Sequence, residues 1–288
     1  KLLSEKFPKI PFNEAMLNYG TDKPDLRNPL IIKDLTKIFT REDVKFDIFK
    51  KLVKSGSVVR AIVTKNTKNN PRSFFDNIDK WAKEQGASGL AYFTFEKENN
   101  LTAKGPVGKF FSEDSLKEIM KVTSAEIGDS IFMSCSDENQ IYEIMSKSRN
   151  KIAEELDIID LNSFAFCWIT DFPIFELDKE TSKINFSHNP FSMPQGDPNK
   201  IDLSKPLELK AYQYDIVCNG VELSSGAIRN HIPDLMYKLF SIAGYDKKVV
   251  DEKFSGMINA LIMPLNFSST SFLLYPAKEN NLYINSGI

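Results

Sequence analysis

The sequence is organised around one stretch, Tyr214-Asp215-Ile216-Val217-Cys218-Asn219-Gly220-Val221-Glu222-Leu223-Ser224-Ser225-Gly226-Ala227-Ile228-Arg229-Asn230-His231. Its first five residues have the composition of a β-strand. Asn219 and Gly220 follow them, and both residue types tolerate the positive φ angles of a tight two-residue turn. The stretch therefore predicts a β-hairpin with Asn219 and Gly220 at its tip.

The second strand of this hairpin carries one acid, Glu222, and one guanidinium, Arg229. Their odd spacing would place them on opposite faces of a regular strand. Ser224-Ser225-Gly226 lies between them and is a natural position for a bulge, which would bring both to one face. An Arg and a Glu on one face suit a zwitterionic ligand, because the Arg229 fork can hold a carboxylate with two parallel hydrogen bonds. The alternative is a salt-bridged strand pair without a ligand.

Composition limits the classes of protein to which the chain can belong. The chain has 288 residues, 42% hydrophobic and 26% charged, with a net charge of −2, which is typical of one large domain with a smaller one. This charge neither indicates nor excludes nucleic acid. Three cysteines far apart in sequence predict a reducing cytosol and argue against a cysteine metal site. No signal peptide or long uncharged apolar run is present, so no membrane insertion is expected.

The segment from about residue 31 to 159 mixes strand and helix patterns and predicts a separate α+β module. Strands are predicted at Phe46–Phe49, Val58–Val63, Leu90–Phe95 and Ser130–Met133, and helices at Phe75–Glu84, Leu116–Lys121 and Ile141–Glu155. The segment contains no histidine, and we expect no chemistry there. Lys65, Lys68 and Arg72 form a basic cluster that could contact phosphates or be a solvated loop.

The segment that follows this module has a different residue pattern. Phe164–Thr170 is nearly all apolar and predicts a strand buried on both faces. The two histidines of the chain, His188 and His231, lie near the hairpin in sequence. Helices are predicted at Asp234–Ile242 and from about Lys247 to Leu261, and the remaining tail is polar and loop-like.

Several motifs together resemble bacterial-type aspartyl-tRNA synthetase, a class II aminoacyl-tRNA synthetase. They include Glu14-Ala15-Met16, Tyr19-Gly20-Thr21-Asp22-Lys23-Pro24-Asp25-Leu26-Arg27, Trp168-Ile169-Thr170-Asp171-Phe172-Pro173, His188-Asn189-Pro190-Phe191 and the hairpin as far as Arg229. The resemblance covers residues 7–261 in the family's order. It implies an antiparallel sheet flanked by helices as catalytic core (residues 1–30 and 160–288), with an inserted α+β domain at residues 31–159.

The resemblance also implies an activity. The family makes aspartyl-adenylate from aspartate and ATP with Mg²⁺, then transfers the aspartyl group to tRNA, as a cytoplasmic homodimer. Arg229 matches the arginine that holds the side-chain carboxylate of aspartate, and Glu222 matches the acid on the ATP side, which acts through magnesium or directly. His188 matches a histidine of the loop that closes over aspartate, whereas Asn189 stands where a second histidine is usual.

Other parts of the family pattern are missing from these 288 residues. No segment resembles motif 1, motif 2 with its arginine, motif 3 or the N-terminal anticodon-binding barrel. The chain begins Lys1-Leu2-Leu3 without methionine, and a join with missing sequence is expected between Leu261 and Ile262. We therefore expect a fragment of an aspartate–tRNA ligase that makes no adenylate alone. The alternative is a non-catalytic remnant or accessory binding protein.

Overall fold

A computed structural model describes residues 1–178 and 181–262, without the side chains of residues 260–262. The described chain forms two compact units that alternate along the sequence. The first unit comprises residues 1–6, 14–165 and 218–221, and the second comprises residues 7–13, 166–217 and those from 222 onward. The first unit contains the predicted α+β module, and the second contains most of the predicted hairpin.

The first unit is built on a five-stranded antiparallel sheet with strand order β2-β3-β6-β4-β5. The strands are β2 (Ile32–Asp34), β3 (Val58–Thr64), β4 (Ala91–Lys97), β5 (Leu101–Lys104) and β6 (Ser130–Ser136). The helices are α1 (Phe12–Tyr19, mostly in this unit), α2 (Asp47–Lys54), α3 (Arg72–Glu84), α4 (Glu113–Thr123) and α5 (Glu138–Glu155). The strands predicted around Val58, Leu90 and Ser130 and all three predicted helices are confirmed.

Both faces of this sheet are covered, because alternate residues of each central strand enter different cores. Val59 and Phe93 belong to one core, which also contains Phe49 of α2 and Leu116 of α4. Neighbouring strand residues such as Ile62 belong to the other core. Side chains of α3 and α5 complete that second core, namely Phe75, Ile78, Ile141, Met145 and Ile152. The unit therefore has two hydrophobic layers around one sheet.

The prediction of a strand at Phe46–Phe49 is wrong, since this segment leads into helix α2. Phe46, Phe49 and Val53 all pack in the same core, at the three- and four-residue spacing of one helix face. Four residues were too few to reveal that period, and the aromatic content favoured a strand.

A buried arginine fixes the chain where it enters the module. Arg149 of α5 is 1% exposed and donates hydrogen bonds to the backbone carbonyls of Asp25, Asn28 and Leu30, at 3.0, 2.6 and 2.6 Å. Its guanidinium lies 5.0 Å from the ring centre of Tyr19, and burial lowers the pKa of Arg149 to about 10. The last helix of the module thus holds the segment that precedes its first strand.

The second unit contains a four-stranded sheet with strand order β1-β7-β10-β11. Its strands are β1 (Lys9–Pro11), β7 (Phe166–Thr170), β10 (Gln213–Cys218) and β11 (Val221–Ala227). β1 and β7 run parallel, with Ile10 beside Ile169. A two-stranded sheet, β8 (Phe175–Leu177) and β9 (Ile184–Phe186), and helices α6 (Pro233–Ile242) and α7 (Lys247–Ile262) complete the described part of the unit. Together the units give the mixed α+β fold with helix-flanked sheets that the sequence predicts.

The prediction that β7 is buried on both faces is wrong. Cys167 and Ile169 are fully buried, whereas Phe166, Trp168 and Thr170 are only half-buried. The large aromatic side chains made the strand look uniformly apolar, although one face keeps access to solvent.

Helix α7 spans the position of the predicted join between Leu261 and Ile262. The tail from residue 263 onward, expected to be loop-like, lies outside the described residues, so the join stays a prediction. Within residues 1–178 and 181–262, no helix combines the length and the apolar character that a membrane crossing requires.

Candidate functional site

The hairpin forms as predicted. Asn219 and Gly220 have φ angles of +51° and +83°, which is the arrangement of a two-residue turn with both central residues in the left-handed region. β10 and β11 are neighbours in the sheet on either side of this turn. Glu222 near the start of β11 and Arg229 just beyond its end are both exposed, so both side chains are accessible to a ligand.

The pairing of β10 with β11 indicates one extra residue in β11. In a regular hairpin closed by Asn219 and Gly220, Tyr214 would face Ser225. Instead, the ring of Tyr214 lies over Gly226, where a Cβ atom would be 2.5 Å from Tyr214 Cε2. The amide of Ile228 also donates to the carbonyl of Tyr212 at 2.8 Å, again one residue later than a regular register gives. We infer a bulge before Gly226.

This bulge supports the prediction that Glu222 and Arg229 share a face, because an extra residue reverses the alternation of side chains between them. The two remain far apart along the strand, on the order of 20 Å at about 3.3 Å per residue. One small zwitterion could not contact both. The arrangement instead suits a long ligand with a carboxylate at the Arg229 end.

His188 lies in the loop after β9. Its ring meets Phe172 edge-on, with centroids 4.8 Å apart, and meets Phe12 in the same way at 5.6 Å. The imidazole is nevertheless exposed. His231, the second histidine of the chain, is also exposed, and its Nδ1 lies 3.4 Å from the carbonyl oxygen of Arg229.

Three backbone hydrogen bonds connect Met193, in the loop that carries His188, with the residues that adjoin the two strands of the hairpin. The amide of Met193 donates to the carbonyl of Ile228 at 2.7 Å, Ile228 donates to Tyr212 at 2.8 Å, and Tyr212 donates back to Met193 at 2.9 Å. The three bonds close a ring. A fourth bond runs from Asn230 to the carbonyl of Phe191 at 2.7 Å. The structure therefore brings the backbone of Arg229 against the loop that carries His188.

A polar side-chain network lies beside this ring. Asn189 Nδ2 donates to Gln213 Oε1 at 3.0 Å, and Asn189 Oδ1 accepts hydrogen bonds from the Phe191 amide at 3.0 Å and Ser192 Oγ at 2.9 Å. Ser192 is 2% exposed and pairs with Arg229 in an antiparallel bridge. Gln213 and Ser192 were not singled out from sequence. Their only sequence signal is a polar side chain at the edge of an apolar run.

A second side-chain contact fixes the loop after β7. Asp171 has a φ angle of +59°, which is strained for a residue with a Cβ atom. Gln195 Nε2 donates to Asp171 Oδ1 at 2.6 Å and to the carbonyl of Ala211 at 3.1 Å. Asp215 is a further residue missed from sequence. It is a carboxylate buried within β10, and its signal was a charge inside an apolar strand.

A cavity of about 290 Å³ is lined by residues of the segment 195–209, including Gln195 and Asp202. It does not include Glu222, Arg229 or His188. Glu222, Arg229 and His188 are all exposed. The described residues also contain no group of three or more His, Cys, Asp or Glu side chains arranged to hold a metal.

The basic cluster of the first unit has internal partners. Lys65 Nζ lies 2.8 Å from Asp129 Oδ2 and donates to the carbonyl of Ser124 at 2.9 Å. Arg72 pairs with Asp76 at 3.1 Å. These contacts favour a solvated loop over a phosphate site. The cysteines are free and buried, and burial raises the pKa of Cys135 to about 11.

Comparison with known proteins places these features in a family. The sequence model of the tRNA synthetases class II (D, K and N) matches residues 2–265. The chain is 72% identical over 261 residues to the aspartate–tRNA(Asp/Asn) ligase of Pelagibacter ubique. This match covers 91% of the chain and 44% of that ligase. It is 51% identical over 260 residues to the ligase of the same name from Ehrlichia chaffeensis, covering 90% of the chain and 43% of that protein. The chain spans less than half the length of these relatives, and it belongs to the class II tRNA synthetases of the D, K and N group.

Proposed function

We propose that this chain carries the aspartate-recognition part of an aspartate–tRNA ligase. The observation that supports this most directly is the position of Arg229, an exposed guanidinium whose neighbours Ile228 and Asn230 are hydrogen-bonded to the loop of His188. A guanidinium distinguishes a carboxylate from the isosteric amide, because it offers two donors and a positive charge. The relatives' names support aspartate as the amino acid and tRNA(Asp/Asn) as acceptor.

The complete reaction uses both ends of the hairpin face. The α-carboxylate oxygen of aspartate bonds to the α-phosphorus of ATP, and the bond from that phosphorus to pyrophosphate breaks. Arg229 would hold the side-chain carboxylate, and His188 would close the amino-acid end. Glu222, exposed at the other end, would face the nucleotide and could bind Mg²⁺, which favours one or two carboxylates together with phosphates. Magnesium, when bound, neutralises the phosphate charge.

For the complete ligase, the proposal is a cytoplasmic homodimer that acts on tRNA. For the chain of 288 residues, the proposed activity is limited to binding aspartate. Because no arginine of motif 2 or motif 3 is present, the chain should bind aspartate without activating it. Each missing cationic contact is worth roughly 10²–10³ in rate. A non-catalytic binding protein remains the alternative, and it makes the same prediction for the isolated chain.

Calorimetric titration with aspartate and asparagine tests the recognition step. The unmodified chain should prefer aspartate, and Arg229→Ala should weaken aspartate binding about 100-fold with little effect on asparagine, because a charge-assisted double hydrogen bond is lost. Arg72→Ala, which removes an exposed arginine of the first unit, is the matched control. Equal affinity for the two amino acids, or for the Arg229→Ala and unmodified chains, would refute the proposal.

Aspartate-dependent exchange between ATP and pyrophosphate tests the activation step separately. No exchange above background is expected from this chain alone. Exchange at a rate ordinary for an enzyme would show that the expected absence of the two arginines is wrong.

A further inference from the structure

The strongest unexplained feature of the second unit is the neutral network formed by Asn189, Ser192 and Gln213. It joins the residue after His188 to the first residue of β10, 24 positions later in the chain. Ser192 Oγ approaches Gln213 Oε1 as well, at 3.5 Å. Asn189 Oδ1 closes a local turn with the Phe191 amide, but Asn189 Nδ2 is not part of that turn and reaches Gln213 instead. The contact between the two amides therefore has a different role.

The orientation of both amides is fixed by their partners. The backbone amide of Phe191 can only donate, so the Asn189 atom that it meets is Oδ1. Asn189 Nδ2 must then point at Gln213, and Gln213 must present Oε1 to it. Exchanging oxygen and nitrogen in either amide would place two donors against each other. Only one orientation of the two side-chain amides is therefore compatible with these hydrogen bonds.

The same network holds the segment that carries His188 from one side. On the other side, the imidazole lies edge-on against Phe172 and Phe12. The ring of backbone hydrogen bonds through Met193 secures the end of the segment. Each end and the middle of the loop are thus attached to neighbouring segments of the chain.

We propose that Gln213 is a positioning residue, which acts through Asn189 to hold the His188 loop beside Arg229 before aspartate binds. This inference rests on the proposed function for the identity of the ligand. Aspartate then meets a loop that is already ordered, and binding does not have to order it. Because the network is uncharged, it adds no negative charge that would compete with the ligand carboxylate for Arg229.

The two histidines allow a direct test by NMR of the full chain labelled in the imidazole rings. The chain has only His188 and His231, so two Cε1–H signals are expected, and His231→Ala assigns them. The aromatic rings around His188 should shift its signal away from that of free histidine. Gln213→Leu should move it back towards the free position, should leave His231 unchanged and should weaken aspartate binding about 10-fold.

Two further variants separate positioning from general damage. Gln213→Glu keeps an acceptor for Asn189 Nδ2, so the His188 signal should stay at its original position even though the added charge weakens aspartate binding. Gln140→Leu makes the same substitution at an exposed residue of the first unit, where the glutamine accepts from Ser136 Oγ at 2.8 Å. It should change neither signal nor affinity.

An unchanged His188 signal in Gln213→Leu would overturn the inference. The inference would also fail if both Gln213 variants lost the His188 shift and the His231 signal changed as well, because this would indicate general damage to the fold. Failure of the unmodified chain to bind aspartate would refute the proposed function instead. In that case the His188 signal would still decide whether Gln213 positions the loop.

Discussion

The five-stranded and the four-stranded sheets differ in how completely other elements cover them. The five-stranded sheet of the first unit is covered by hydrophobic cores on both faces, and its central strands are almost wholly buried. In the four-stranded sheet of the second unit, strand β11 is at an edge and leaves Leu223 56% exposed. The candidate site residues therefore lie on the sheet that solvent can reach, whereas the side chains of the covered five-stranded sheet pack in hydrophobic cores.

The largest effect should come from the buried arginine of the first unit. Arg149→Met removes the donor to three backbone carbonyls, two of them in buried hydrogen bonds, and should lower the free energy of unfolding by about 3 kcal/mol. Urea denaturation followed by circular dichroism measures this change.

Lys151→Met is the matched control on the same helix. Lys151 forms ion pairs with Glu154 and Glu155 at the surface, at 3.4 and 2.8 Å, so its replacement should cost less than about 1 kcal/mol. Equal denaturation midpoints for the two variants would contradict a special role for Arg149.

The next effect concerns the accessible sheet. Gly226→Ala should lower the free energy of unfolding by about 2 kcal/mol, because the new methyl group would lie against the ring of Tyr214. Gly256→Ala in α7 is the control, since its Cβ would meet no atom within 4 Å and should be neutral or stabilising by about 0.5–1 kcal/mol. If thermal denaturation shows no loss for Gly226→Ala, the inferred bulge in β11 is wrong.

The smallest effect depends on pH. In the first unit, the Arg41 guanidinium and then the Ser112 hydroxyl hold the pKa of Asp43 well below its usual range. A lowered pKa in the folded state stabilises the fold above the unfolded value of about 3.9, and this contribution is lost as pH falls through the folded pKa. Asp43→Asn should therefore cost less than about 1 kcal/mol at pH 7 and progressively less below pH 4. Urea denaturation at pH 7 and pH 3 checks this, and a cost that grows in acid would contradict the assignment.

The sequence predicted best what is set by local patterns. The long amphipathic helices α3 and α5, strands β3 and β6 and the turn at Asn219 and Gly220 all follow from residues close together in the chain. Helix α2 was missed because the four residues considered cover barely one helical turn, which is too short to show a repeat of 3.6 residues. The half-exposed face of β7 was missed because aromatic residues occur on covered and open faces alike.

The candidate site was predictable only in part. Arg229, Glu222 and His188 could be named from motifs, and their roles remain proposals. Gln213 and Asn189 could not be paired from sequence, because a hydrogen bond between residues 24 positions apart leaves no mark in either local pattern. The register shift in β11 likewise depends on where Tyr214 meets Gly226, and only the folded strands show it.

The ring of bonds through Met193, Tyr212 and Ile228 has a consequence for the order of events during synthesis. Its first and last members, Met193 and Ile228, are 35 positions apart, so the ring cannot close until the chain has emerged as far as Ile228. Contacts between distant residues also form late, because the entropy of closing the intervening loops is lost before the bonds compensate for it. The covered sheet of the first unit lies largely earlier in the chain, so it can be complete on the ribosome while the loop of His188 is still unattached.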